Sequence, residues 1–188
     1  MAATPHPERV LIVHSSRFGQ SEKIAQAVQE ILAQSGIETE TAPLTRELTR
    51  SLAFDPTGFA LIASVRYGHF DKRANRLLER HRAVLDEVPT LLMTVSLTAR
   101  TPEKRDPEVH VYTKKFLTKT GWKPTMVEVV AGALQYRRYN WFDAAMIRFI
   151  MKITGGERDK NADIEYTDWE QVSAAGHQFA RLVSGTSD

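Results

Sequence analysis

The chain contains no cysteine. Disulfides, thiolate metal ligands and a cysteine nucleophile are thereby excluded, and nothing requires an oxidising compartment. No metal site is expected. Long apolar runs are missing as well: no window approaches the roughly 18 apolar residues of a membrane-spanning helix. The opening MAATPHPERV also lacks a basic segment followed by an apolar one. A cytoplasmic setting is expected, with no passage through a membrane. Charge of one sign is scarce, since 25 Lys and Arg face 23 Asp and Glu for a net +2 at pH 7. No nucleic-acid partner is expected. Two phosphate motifs are absent too. G-x-G-x-x-G lacks its first glycines, which argues against a dinucleotide clamp, and no G-x-x-x-x-G-K followed by Ser or Thr occurs, which argues against a nucleoside-triphosphate loop.

What is present fits one domain spanning 1–188, because 188 residues with 42% hydrophobic and 26% charged side chains can bury a core. Basic residues gather locally, with Lys72, Arg73, Arg76, Arg80 and Arg82 in one segment and Arg137 with Arg138 in another. Solvated helix faces are the simpler reading of such clusters, with anion contact as the other.

Five apolar, β-branched runs read as strands: 10–13, 37–41, 59–65, 90–95 and 126–134. Helical spacing fills most of the gaps. Ile24, Ala27, Val28, Ile31 and Leu32 form an apolar face opposite Glu22, Lys23, Gln26 and Glu30. A short second helix is expected within 45–54. Residues 71–85 repeat the helical pattern with Ala74, Leu77, Leu78, Val84 and Leu85 inward. Asp106 before Pro107 predicts an N-cap and a helix burying Val109, Tyr112 and Phe116. Thr167 with Glu170 three residues later predicts a capping box and a last helix carrying Trp169, Val172, Gly176, Phe179 and Val183. Alternating strands and helices imply a parallel sheet covered on both faces, an α/β doubly wound domain.

About thirty residues separate the fifth strand from the capping box, where such connections usually take roughly 2 to 6. An insertion is expected there. Its segment 141–153, WFDAAMIRFIMKI, is apolar on most sides, with Asp143, Arg148 and Lys152 as its charges. It reads as a helix lying on a membrane surface, over a ligand, or against its own domain.

In a doubly wound sheet, ligands bind beyond the carboxyl ends of the strands. The first strand ends in Ser15, Ser16, Arg17, Phe18, Gly19, Gln20 and Ser21 just before a helix begins. Unpartnered N–H groups and the helix dipole favour an anion there, and serine hydroxyls add donors, so a phosphate is the natural guest. An ordinary strand-to-helix turn is the plainer alternative. The order Ser16-x-x-Gly19-x-Ser21, with Ala25 four further on, resembles the flavodoxin signature for the phosphate of flavin mononucleotide (FMN). His14 stands where flavodoxins usually carry an aromatic ring, and Ser21 replaces their usual Thr.

The third strand ends in Ser64, Val65, Arg66, Tyr67, Gly68 and His69. In a flavodoxin-like fold this loop borders the isoalloxazine ring: Tyr67 would lie against it, and Gly68 would let the backbone approach flavin N5. Arg66 faces phosphate, pyrimidine carbonyls or substrate. His69 is either a proton donor or a hydrogen-bonded structural residue; it and Arg66 are the catalytic candidates. The fourth strand ends in Ser96, Leu97, Thr98 and Ala99, on the other side of the ring, followed by Arg100.

Taken together, the stretches SVRYGH, VSLTARTPEKRDP, AGALQYRRYNWFD, MIRFIMKITGGE and YTDWEQV resemble the menaquinone-dependent protoporphyrinogen oxidases, flavodoxin-like enzymes of bacterial haem synthesis. The resemblance covers nearly the whole chain. It implies a flavodoxin-like five-stranded parallel sheet in the order 2-1-3-4-5, with residues 135–157 as the family's insertion between strand five and the last helix. It implies FMN as cofactor, protoporphyrinogen IX as substrate, and menaquinone or ubiquinone as electron acceptor. The protein would work attached peripherally to the inner face of the bacterial cell membrane. Arg100, Lys104, Arg105, Arg137 and Arg138 are then placed to meet propionates or lipid headgroups, and Tyr136, Tyr139 and Trp141 suit a flat tetrapyrrole or the interface. A flavodoxin-type electron carrier, an NAD(P)H:quinone reductase and a non-enzymatic membrane-surface or phosphate-binding module are the alternatives.

Overall fold

The computed structural model describes residues 8–52, 54–135 and 163–185. Within them, β1 (Arg9–Ser15), β2 (Glu38–Pro43), β3 (Gly58–Ser64), β4 (Thr90–Ser96) and β5 (Met126–Ala131) form one sheet in the order β2-β1-β3-β4-β5. Every pairing is parallel, and the register sets Val10 against both Thr39 and Gly58. The connections include α1 (Gln20–Gln34), α2 (Arg46–Arg50), α3 (Lys72–Arg80), α4 (Arg82–Leu85) and α5 (Val111–Thr120), and α6 (Trp169–Val183) follows the insertion. The five-stranded doubly wound sheet expected from the sequence is therefore present.

Central strands read as continuous apolar runs because both faces are covered. Val10, Ile12, Ala60, Ile62, Met93 and Val130 face α1 and α6, packing on Ile24, Val28, Leu32 and Phe179. Leu11, Val13, Phe59, Leu61 and Leu92 pack on the other side with Leu77, Leu78, Phe116 and Trp122. Gly176 lets α1 and α6 touch: a Cβ there would stand 2.8 Å from Ile31 Cδ1.

Several boundaries differ from expectation. The fifth apolar run splits after Ala131. Residues Ala133–Gln135 (β6) instead pair antiparallel with Asp163–Glu165 (β7), closing the base of the insertion. The helix over 71–85 divides at His81, which ends α3 and begins α4, and Val84 is only half-buried. Asp71 caps α3 by accepting from Arg73 N. α5 starts at Val111 rather than beside Asp106. The Asp106 carboxylate accepts from Glu108 N two residues on, making a turn; Val109 is 56% exposed and Tyr112 half-buried, while Phe116 is buried as expected. The last helix is capped by Asp168, which accepts from Gln171 N, one residue after the expected Thr167. Thr167 spends its hydroxyl on Ala131 O.

The segment 141–153 and the side chains of Tyr136, Arg137, Arg138, Tyr139 and Trp141 lie outside the described residues. No helix among the described residues is long and apolar enough to cross a membrane.

Candidate functional site

Three loops meet along the carboxyl rim of the sheet. The first follows β1. Gly19 adopts φ 94° and stands at the N-cap of α1, where no side chain caps the helix. Glycine suits this left-handed geometry because other residues pay a steric penalty there. Ser16 Oγ accepts from Gly19 N at 2.9 Å, folding the loop over the helix end. Gln20 and Ser21 begin the helix and are buried, and Ser21 Oγ has no hydrogen-bond partner among the described residues. A buried hydroxyl without a partner carries a desolvation penalty, and it sits in the turn whose N–H groups lack intrahelical acceptors. The arrangement fits a phosphate group. Glu22, the acid of that turn, is exposed to water, which screens it.

The second loop follows β3. Ser64 Oγ donates to Ser15 O at 3.1 Å and Val65 N donates to Val95 O at 2.9 Å, so its base is fixed to both neighbouring strands. Arg66 and His69 exchange backbone hydrogen bonds around Tyr67 (φ 49°) and Gly68 (φ 77°). Two successive positive φ values are those of a type I′ turn, and Tyr67 holds its value against a cost of about 1–3 kcal/mol. Tyr67 is 48% exposed. The Arg66 guanidinium lies 4.9 Å from the Tyr67 ring centroid and 5.5 Å from that of Phe18, which joins the first two loops. Arg17 lies 5.6 Å from the Phe18 ring centroid. His69 is exposed at the hairpin's end.

The third loop, a 3₁₀ turn over Leu97–Arg100, follows β4. Ser96 Oγ accepts from Thr98 N, Ala99 is fully buried, and Arg100 Nη1 donates to Leu97 O at 3.3 Å. Arg105 donates from Nε to Ala99 O at 3.0 Å and from Nη1 to Asp168 Oδ2 at 2.8 Å, bracing this loop against the start of α6. Asp168 is held below the usual carboxylate range, chiefly by Gln171 N and then by Arg105. Lys104 is exposed.

A cleft of about 680 Å³ opens where the first two loops meet the end of β2. Ser15, Ser16, Arg17, Ser64, Arg66, Tyr67 and His69 line it, together with His14, Pro43, Leu44, Thr45, Phe70, Asp71 and Arg73. Motif spacing does not point to that β2 wall, because it borders the cleft through topology alone. Arg73 is committed to Asp71 at 2.6 Å, which lowers the Asp71 carboxyl and raises the guanidinium. His14 is held below its ordinary value by burial, partly opposed by Glu22, and its buried Nδ1 has no partner among the described residues. The third-loop residues lie outside this lining. Among the described residues, no group of His, Cys, Asp and Glu could hold a metal ion.

Comparisons with known proteins agree with this fold. A family model described as a flavodoxin domain matches residues 11–161. Protoporphyrinogen IX dehydrogenase (quinone) of Escherichia coli strain K12 is 38% identical over 176 residues, covering 93% of this chain and 96% of the relative. A protein of the same name from Leishmania major is 37% identical over 93% of this chain and 75% of its own length. Among solved structures, oxidised flavodoxin 1 of Bacillus cereus superposes with a TM-score of 0.56 over 96% of this chain and all of its own, at 12% identity. That likeness shows a shared fold. With a matching family model over most of its length and relatives at this identity, the chain belongs to the flavodoxin-domain family, and within it to the quinone-dependent protoporphyrinogen IX dehydrogenases.

Proposed function

We propose that this chain oxidises protoporphyrinogen IX to protoporphyrin IX and passes the electrons to a membrane quinone, menaquinone or ubiquinone, with FMN as cofactor. The observation that carries this reading is the partnerless, buried Ser21 hydroxyl beneath the uncapped start of α1. It stands in a chain that is 38% identical to a quinone-dependent protoporphyrinogen IX dehydrogenase across 93% of its length.

When bound, FMN supplies the hydride-accepting and electron-donating chemistry that no side chain offers. Residues Ser15 to Ser21 hold its phosphate through N–H groups and hydroxyls. Ser64 to His69 form one wall for the ring, with Tyr67 as its exposed aromatic surface, and Ser96 to Ala99 form the other. The I′ turn sets Tyr67 and the Gly68 backbone in place before any ligand arrives, so little ordering is left for binding to cost. Arg66 and His69, both lining the cleft, are the catalytic candidates. Arg100 and Lys104 meet the carboxylates of the porphyrinogen or lipid headgroups, while Arg105 acts through the frame it braces. The apolar composition of the segment 141–153 suits contact with the porphyrinogen and quinone or with the lipid interface at the inner face of the cell membrane.

The test is an anaerobic assay of purified protein loaded with FMN. Porphyrinogen should disappear only when quinone is present, and NADPH should not replace the porphyrinogen as reductant. Quinone reduction driven by NADPH without porphyrinogen would instead assign a quinone reductase. Absence of porphyrinogen oxidation in FMN-loaded protein with quinone would overturn the proposal.

A further inference from the structure

The third loop is tethered from below by a buried imidazole with no part in the chemistry above. His110, only 3% exposed, stands at the N-cap of α5. Its Nε2 lies 3.1 Å from Thr98 Oγ1 and its Nδ1 lies 2.7 Å from Thr113 Oγ1. Thr113 Oγ1 donates to Thr94 Oγ1 at 2.9 Å, and Thr98 Oγ1 lies 2.9 Å from Ser96 Oγ. The imidazole therefore links the interior of β4, the first turn of α5 and the loop beyond β4.

The direction of this chain follows from Thr113 as the donor to Thr94 Oγ1. Since Thr113 gives its proton to Thr94, the 2.7 Å contact needs a proton on His110 Nδ1. Nε2 is then the acceptor for Thr98, whose own oxygen is left to accept from Ser96. The opposite tautomer would favour the longer 3.3 Å contact from Thr113 N at the expense of the chain. Burial, reinforced by Lys104, holds the ring below its ordinary pKa and so in the neutral form this pattern requires.

Capping alone does not account for a histidine. Ser, Thr, Asp or Asn would cap α5 with one oxygen, and these side chains are too short to reach Thr98 as well. We propose that His110 is a positioning residue: it fixes Thr98, and through it the turn Leu97–Arg100, as the wall against which the flavin ring is held. This rests on the reading that residues 96–99 border FMN.

The two nitrogens can be separated by substitution, because Asn approximates the Nδ1 position and Gln the Nε2 position. His110→Asn keeps a partner for Thr113 and releases Thr98, whereas His110→Gln keeps the tether and releases Thr113. FMN affinity is measured by fluorescence quenching of the full chain, alongside the visible flavin spectrum and the melting temperature. His110→Gln should bind FMN within about twofold of the unsubstituted chain, while His110→Asn should bind about tenfold more weakly with an altered spectrum, both variants melting at comparably lowered temperatures. Thr98→Val should reproduce the His110→Asn loss, and the double variant should lose no more, since both remove one interaction. The reverse order of Gln and Asn, or equal affinity in all variants, would overturn the positioning role. If neither variant at 110 folds, Thr98→Val decides through the His110 imidazole nitrogen resonances read beside FMN affinity: a tenfold loss with a shifted Nε2 supports the proposal, and unchanged affinity or an unshifted Nε2 overturns it. An unsubstituted chain that binds no FMN would instead bring down the underlying cofactor reading, and this inference with it.

Discussion

Gln20 Nε2 donates to Thr167 Oγ1 at 2.8 Å, joining the first turn of α1 to the residue preceding the cap of α6 across 147 positions of sequence. Thr167 Oγ1 passes its own proton to Ala131 O at 2.8 Å, so one hydroxyl ties the start of α1, β5 and the start of α6 together. Thr167→Val removes both bonds and leaves a mostly buried amide and carbonyl unpaired. The expected loss is about 1–3 kcal/mol of folding stability, read as a lower urea midpoint with an unchanged slope. An unchanged midpoint would show that this knot is not structural.

Ser21 supplies a prediction in which stability and binding part company. Its buried hydroxyl has no partner among the described residues, so Ser21→Ala removes a desolvated polar group at no loss of a bond there. The ligand-free chain should be as stable as before or slightly more so. FMN affinity should nevertheless fall by about tenfold, the scale of one hydrogen bond to a charged acceptor. Paired thermal melts and flavin titrations test this. A destabilised ligand-free chain with undiminished FMN affinity would show that Ser21 is a structural residue.

Gly68 carries φ 77°, and a Cβ there would come within 3.0 Å of Tyr112 Cε1. Gly68→Ala should therefore cost about 1–2 kcal/mol from backbone conformation alone. Tyr112→Ala in the same chain should relieve the contact and leave the backbone cost. Chemical denaturation of the single and double variants separates the two, and a stable Gly68→Ala chain would contradict the positive-φ turn.

Acid should destabilise the fold before its carboxylates titrate. His14, His81 and His110 are all held below their ordinary value of 6.5, in each case mainly by burial. A depressed histidine pKa means that the unfolded chain binds more protons than the native one once the pH drops below the unfolded value. Stability contributed by these neutral rings is complete above about pH 6.5 and is lost as pH falls through their lower folded values. Urea midpoints measured from pH 8 to pH 5 should decline across that window. His110→Gln should flatten the decline, and a midpoint that rises on acidification would contradict the assigned cause.

The sheet was legible because its central strands β1, β3 and β4 are mostly apolar runs bounded by turn residues, and Ile24, Val28 and Leu32 marked α1 by spacing alone. The loops at 15–21, 64–69 and 96–99 could be marked because topology puts them on one rim once the strand order is known. Asp106 misled because an Asp before Pro serves an Asx turn as well as an N-cap, and here it binds Glu108 N. Thr167 and Asp168 are adjacent cap formers, and tertiary contacts chose between them by giving the Thr167 hydroxyl to Ala131 O. The ribbon of β6 and β7 escaped notice because its second strand is three residues long, too short for a periodic signal. His110 was unmarked because histidine is an uncommon cap, and its partners Thr94, Thr98 and Thr113 converge only in three dimensions.

The most direct measurement compares FMN with riboflavin in parallel equilibrium titrations of the flavin-free chain. Both carry the same ring, so the difference reports the phosphate held at the start of α1. FMN should bind tighter by on the order of 100-fold, the worth of several charge-assisted hydrogen bonds to a phosphate. Equal affinity for the two flavins, or no binding of FMN, would contradict a phosphate cradle built from Ser16, Gly19 and Ser21.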